Sequence, residues 1–308
     1  MKNYLIKKGA VLLCSLFLIA TATFFLMHAI PGDPFIQDKA IPEEILSSLR
    51  RHYGLDQPLH IQYLKYLKGA LCGDLGPSFK YEGRTVSGII SDGFPVSLAL
   101  GLEALFLSVT AGITLGAAAA VYRSRWQDGA AMLLAVLWIS VPSFVLATFL
   151  QYLFAMKLDL LPLARWGTFS HTLLPALSLA ALPTAVIARM TRANMVEVLG
   201  QDFILTARAK GLSLFSVIFR HALKNSLLPV LTYLGPLTAT ILTGSFAVEK
   251  IFGIPGLGQW FVTGIMNRDY TVIMGVTLFY SALLTFWVFI IDLVYPLVDP
   301  RICHAKQP

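Results

Sequence analysis

The stretch ANMVEVLGQDFILTARAKGLSLFSVIFRHALKNS, residues 193–226, is a polar, basic connector between two long apolar segments, with Thr206-Ala207-Arg208-Ala209-Lys210-Gly211-Leu212 at its centre. Connectors in compact membrane proteins are short, so one this long and partly helical in pattern reads as a docking surface rather than a tether. Glu197, Asp202, Arg208, Lys210, Arg220 and Lys224 keep it in water. Phe203, Ile204, Leu205, Leu212, Leu214, Phe215, Val217, Ile218 and Phe219 supply apolar surface. Residues 207–210 favour helix, and Gly211 can take the left-handed conformation that ends one. This predicts a short helix and a turn, roughly parallel to the membrane, that fits a groove on a soluble domain. The alternative is an interfacial amphipathic helix bound to anionic lipid.

The flanks of the connector set the fold class. A chain of 308 residues with 56% hydrophobic and 13% charged residues and a mean hydropathy of +0.70 lies outside the range of soluble domains. A span needs roughly 20 mainly apolar residues to cross a hydrocarbon core about 30 Å thick. Six segments meet or approach that length: 9–30, 96–121, 130–155, 173–190, 227–248 and 272–298. The fourth is the shortest and carries Pro175 and Pro183, which predicts a kinked helix lining the interior. The expected fold is an all-α integral membrane protein of six transmembrane helices. Its parts are an N-terminus and first helix (1–30), an insertion (31–94), a five-helix core (95–298) holding the connector, and a tail (299–308).

Orientation follows from Lys and Arg. With the N-terminus in the cytoplasm, the inside segments 1–8, 122–129, 189–226 and 299–308 hold 13 basic residues against four acidic ones. The outside segments hold 11 of each. The positive-inside rule selects this arrangement, with both termini cytoplasmic. The net charge of +7 is therefore a topology signal, and no clustering of Lys/Arg with aromatics points to nucleic acid. Cys14, Cys72 and Cys303 fall in the membrane, outside and cytoplasm, so neither a disulfide framework nor a metal cluster is implied. Lys7 and Lys8, an apolar stretch and Ala20-Thr21-Ala22 resemble a signal peptide, but the apolar run continues to Ile30 and reads as an uncleaved span.

In the insertion, Pro31-Gly32-Asp33-Pro34 breaks the first helix. Residues 42–53 read as an amphipathic helix with Ile45, Leu46, Leu49 and Tyr53 on one face, ended by Gly54. Pro58 suits a first helical position before Ile61, Leu64, Leu67 and Leu71. These helices lie on the outer membrane face, pack on the span ends, or meet an extracytoplasmic partner. The later outer loops, 157–172 and 249–271, carry Trp166, Trp260 and Tyr270 as interface anchors. Gly253-Ile254-Pro255-Gly256-Leu257-Gly258 is not followed by Gly-Lys-Ser/Thr, so the chain has no P-loop and is not expected to hydrolyse nucleotide.

No catalytic set is visible, and the six histidines lack zinc-helix spacing. Glu103 and Asp292 are the ionisable residues inside spans, Glu103 about 10 Å from the outer boundary. They read as solvated cavity or span-end residues, with a proton relay as the alternative. Gly112 and Gly116, followed by residues 117–120, put small side chains on one face of the second span and allow close helix approach. Gly235, Pro236 and Gly244 do the same in the fifth.

Several strings, in this order and spacing, are similar to one family. They include Pro31-Gly32-Asp33-Pro34, Tyr53-Gly54-Leu55-Asp56-Gln57-Pro58-Leu59, Gly73-Asp74-Leu75-Gly76, Pro142-Ser143-Phe144 and Leu199-Gly200-Gln201-Asp202-Phe203. They continue with the Thr206 to Leu212 string, Arg220-His221-Ala222-Leu223-Lys224-Asn225, Pro255-Gly256-Leu257-Gly258, Arg268-Asp269-Tyr270 and Asp299-Pro300-Arg301. Nearly the whole chain resembles the first permease subunit of bacterial ABC importers of the peptide and nickel class. That family's cytoplasmic signature runs Glu-Ala-Ala, three residues, Gly, nine residues, Ile-x-Leu-Pro. With Gly211 on its glycine, only Ala207, Gly211 and Leu223 match.

The resemblance implies a type I importer fold and a coupling helix seated on a separate ATPase. It also implies a homologous second permease chain, two cytoplasmic ATP-binding subunits that carry ATP and magnesium, and an extracytoplasmic substrate-binding protein. The setting would be the bacterial cytoplasmic membrane, in contact with its lipid. Peptide is the expected cargo, with nickel complexes or glutathione as alternatives. An ion-gradient-driven secondary transporter would need an intramembrane ion site or inverted repeats. A membrane scaffold would not need a basic coupling loop.

Overall fold

The computed structural model describes residues 2–30, 34–35, 42–242 and 244–298, with side chains described over 6–30, 34–35, 42–242 and 244–291. The strings Pro31-Gly32-Asp33 and Asp299-Pro300-Arg301, the residue Cys303 and the Asp292 side chain lie outside them. Helices run in the order α1 (Lys2–Ala29), α2 (Glu43–His52), α3 (Leu59–Cys72), α4 (Val86–Val121), α5 (Trp126–Ser140), α6 (Ser143–Leu150) and α7 (Phe169–Leu199). Next come α8 (Asp202–Ala209), α9 (Leu214–Ser216), α10 (Leu223–Ser226), α11 (Leu228–Leu242), α12 (Phe246–Phe252), α13 (Leu257–Asn267) and α14 (Tyr270–Val298). Wider π-type turns cover Gln151–Lys157 and Val217–Ala222.

Among the described residues, four helices are long and apolar enough to cross a membrane unbroken, and two bent pairs bring the total to six if each pair is one span. The pair Trp126–Ser140 and Ser143–Lys157 turns through 106°. Pro142 causes the break: it removes one amide donor and forces Val141 into an extended conformation, φ −99° and ψ 120°. The pair Leu214–Ser226 and Leu228–Leu242 bends by 54° at Leu227, just before Pro229. The expected fifth span, 227–248, is shorter than the sequence suggests, because its helix ends at Leu242 and α12 starts separately at Phe246.

Other boundaries also move. The second span begins at Val86 rather than near residue 96, with Pro95 inside the helix. The fourth runs from Phe169 to Leu199 through both prolines, so the first residues of the connector are helix, not loop. Its apolar window is 61% buried, more than in any other unbroken span, which fits its interior place. The region 249–271 is mainly the helices α12 and α13.

The chain divides into two units, Met1–Ser97 with Pro255–Ile290, and Leu98–Ile254 with Ile291–Pro308. In the first, Phe24 and Met27 of α1 pack with Tyr270, Ile273 and Met274 of α14, flanked by Tyr63, Tyr66 and Phe79. A second cluster joins Val86, Ile89 and Ile90 to Leu257, Val272 and Val276. In the second unit, α7 is the axis. A Cβ at Gly116 would stand 2.4 Å from the Ala188 carbonyl oxygen and 2.7 Å from Thr191 Cβ, so α4 and α7 meet backbone to backbone there. The small-residue face read from the sequence is this contact.

Candidate functional site

The connector is built on α7. That helix ends at Leu199, Gly200 and Gln201 turn the chain, and α8 begins at Asp202. Asp202 in the first turn and Arg208 in the last oppose the partial charges of the helix ends. At the far end Gly211 has φ +79° and donates to the Arg208 carbonyl at 2.9 Å, while Leu212 donates to the Ala207 carbonyl at 3.3 Å. This pair of bonds is a Schellman cap, and it needs a residue at ease in the left-handed region. Ser213 then caps the next turn by accepting from the Ser216 amide at 3.3 Å.

Two faces result. Ile204 and Ala207, three apart on α8, are buried with Val217 and Ala222 against Met195 and Val198 of α7 and Ala120 of α4. The opposite face leaves Leu205 57%, Phe215 70% and Phe219 53% exposed, beside Leu212 and Leu214. The Phe215 and Phe219 rings lie 4.3 Å apart, centroid to centroid. Thr206, Arg208, Ala209, Lys210, Gly211 and Leu212 are exposed, whereas Ala207 points inward. Of the candidate site residues, then, six can meet a partner and Ala207 anchors the element instead. Ile204 and Val217, which look like surface in the sequence, are the other anchors. Phe215 and Phe219 enlarge the outward patch beyond the central string.

One neighbouring feature is not visible in the sequence as a site. Asp128, in the first turn of α5, accepts from Arg192 Nε at 2.5 Å and Nη2 at 2.7 Å, and from the Ser124 amide at 3.0 Å. Its side chain is nearly buried. The forked bond from Arg192 holds the Asp128 carboxyl below the usual carboxylate range, against the opposing effect of burial. The pair ties the turn between α4 and α5 to α7, just before the connector. The only available signal was an acid in a loop otherwise basic.

A polar node stands in the first unit. Asp269 is fully buried at the start of α14. It accepts from Ser78 Oγ, from the Phe79 amide at 3.2 Å, from Thr271 Oγ1 at 2.9 Å and from the Val272 amide at 3.3 Å. Asp269 thus caps α14 and fastens residues 77–81 to it. In the second unit, Glu103 has a buried Oε1 without a hydrogen-bond partner.

A family model described as "Binding-protein-dependent transport system inner membrane component" matches residues 112–304, and its N-terminal counterpart matches residues 1–101. The dipeptide transport system permease protein of Bacillus subtilis is 50% identical, with 100% of both chains covered. The oligopeptide transport system permease protein of Haemophilus influenzae is 42% identical over 98% of this chain and 99% of that one. Among solved structures, an amino acid ABC transporter with histidines superposes with a TM-score of 0.52 at 16% identity, covering 67% of this chain and 92% of that chain. The inward-facing MetNI methionine ABC transporter gives 0.51 at 17%, covering 68% and 96%. At such identities the likeness is one of fold.

Proposed function

Because the chain belongs to the family of binding-protein-dependent transport system inner membrane components, we propose that it forms half of the translocation pathway of an ATP-driven peptide importer. It is an integral membrane transport subunit, not itself an enzyme. The peptide cargo rests on the 50% identity to a dipeptide permease along the full length. In this reading the other half of the pathway is a homologous second permease chain, two cytoplasmic subunits bind ATP with magnesium, and an extracytoplasmic protein delivers the peptide. The chain sits in the bacterial cytoplasmic membrane with both termini inside, as the Lys and Arg distribution favours.

The observation that carries the coupling role is the two-sided construction of residues 202–219. An apolar, partly basic outer face suits the groove of a soluble domain, and Ile204 and Ala207 key the inner face into α4 and α7. A push on Leu205, Leu212 and Phe215 then reaches the spans through packed side chains rather than through a slack loop. Closure of the two ATPase subunits would draw the paired coupling elements together and rock the pathway between inward and outward access.

The test is a charged outer face. Phe215→Asp combined with Leu205→Asp alters exposed side chains only, so membrane insertion should persist. ATP-dependent peptide uptake should disappear, and the ATPase subunits should no longer co-purify. Normal uptake at normal expression would remove the coupling assignment. Competition for uptake among dipeptides, longer peptides, glutathione and a nickel complex tests the cargo independently.

A further inference from the structure

We propose that α3 is sunk into the lipid leaflet that receives the C-terminal end of α1, with Leu64, Leu67 and Leu71 against acyl chains and Lys65 and Lys68 raised to the headgroup phosphates. The depth comes from its contacts. The Tyr63 ring lies 5.3 Å from that of Phe24 and 5.4 Å from that of Phe25, and Tyr66 stacks on Phe24 at 5.7 Å. The Tyr63 hydroxyl reaches Thr21 Oγ1 at 2.7 Å, and Gln62 meets His28 at 3.2 Å. Phe24 and Phe25 stand about 8 Å, by helical rise, inside the end of the apolar run of α1. A helix held at that level by Tyr63 and Tyr66 lies beside the span, not above it.

What α3 presents on its other side fits that level. Leu64 is 63% and Leu71 90% exposed, with Leu67 on the same stripe at three- and four-residue spacing. Lys65 and Lys68 follow the stripe along one edge, so their ammonium groups can extend to phosphate while their stems stay in the apolar layer. The surface continues onto α1, whose Phe17, Leu18, Phe25 and Leu26 are also exposed and belong to a membrane span. Lipid is therefore the occupant that covers both helices at once. The inference does not depend on the cargo or on which side of the membrane is cytoplasmic.

Site-directed spin labelling of the assembled importer in phosphatidylethanolamine/phosphatidylglycerol nanodiscs tests it. In a chain with Cys14, Cys72 and Cys303 replaced by Ser, a nitroxide is placed at Leu64→Cys or Leu71→Cys, with Ser47→Cys on α2 as the reference. Collisions with oxygen, which partitions into acyl chains, should exceed those with a water-soluble nickel chelate several-fold at both leucine positions, with the order reversed at Ser47. A label on native Cys72, in a chain with only Cys14 and Cys303 replaced so that the α3 leucines stay intact, should also show more oxygen access than Ser47. Nickel access at positions 64 and 71 equal to that at Ser47 would place the face in water and overturn the proposal. Protection from both reagents would place it under a protein partner and overturn it equally.

Discussion

Asp128 and Arg192 show how much one pair of side chains can fix. Arg192 presents a planar fork to a carboxylate whose second oxygen also takes the Ser124 amide, so three donors converge on one nearly buried group. Removing one partner leaves the other charge poorly solvated. Asp128→Asn should lower stability by about 2 kcal/mol, less than for a wholly buried pair because part of Arg192 remains in solvent. Arg192→Lys should lose part of this, since an ammonium cannot fork. The pH dependence has a definite sign. Because the folded carboxyl titrates below its ordinary value, its stabilisation is complete above a pH of about 4 and is lost as pH falls through the lowered folded value. Thermal unfolding in detergent from pH 7 to pH 3 should show an acid-side loss in the parent chain that is smaller in Asp128→Asn. Equal acid-side losses would show that the pair does not carry it. None of this was legible in the sequence, where Asp128 is one acid among basic neighbours and its partner is 64 positions away. Gly211 was legible, because a left-handed helix end has few residues that fit it, and φ there is +79°.

At the scale of helices, the two glycines Gly116 and Gly129 separate contact from propensity. Both lie inside helices, but a Cβ at Gly116 meets the Ala188 carbonyl oxygen at 2.4 Å, while a Cβ at Gly129 meets nothing within 4 Å. Gly116→Val should force α4 from α7 and cost on the order of 1–3 kcal/mol as overpacking does. Gly129→Ala should be neutral or stabilise by up to about 1 kcal/mol through helix propensity. Melting temperatures of the two variants check this, and loss at Gly129 with tolerance at Gly116 would contradict the packing described. The same distinction explains which boundaries the sequence revealed. The apolar runs and Gly54 and Gly211 are local signals, and helices begin or end beside them as expected. Prolines are not purely local: Pro142 breaks the third span, whereas Pro175 and Pro183 stay inside α7. The difference is packing, since both prolines of α7 are buried among neighbours that hold the helix. Likewise α12 and α13 occupy a region whose glycines and proline suggested loop, because Gly253 caps one helix and Gly256 starts the next.

For the whole molecule, the 106° bend between α5 and α6 raises a question of parity: a pair bent so sharply could cross the membrane or turn back. The charge distribution favours a crossing. Residues 122–129 carry Arg123 and Arg125, and residues 189–226 carry six Lys and Arg, so both segments favour the cytoplasm. Two segments on one side must be separated by an even number of crossings. Between them stand only the bent pair and α7, and α7 is a 31-residue unbroken span. If α7 crosses, the bent pair must cross as well, with Pro142 as a break inside the membrane rather than a return. Three fusions of a reporter active only outside the cytoplasm test this. Near Lys80 and near Gly167 the reporter should be active, and near Lys210 it should be silent. A silent fusion at Gly167 with an active one at Lys210 would make the bent pair re-entrant and put residues 202–219 outside, where no ATPase could reach Phe215. Silence at Lys80 with activity at Lys210 would invert the entire chain. The single expected pattern therefore makes the bent pair a crossing and puts residues 202–219 on the side that the proposed ATPase contact requires.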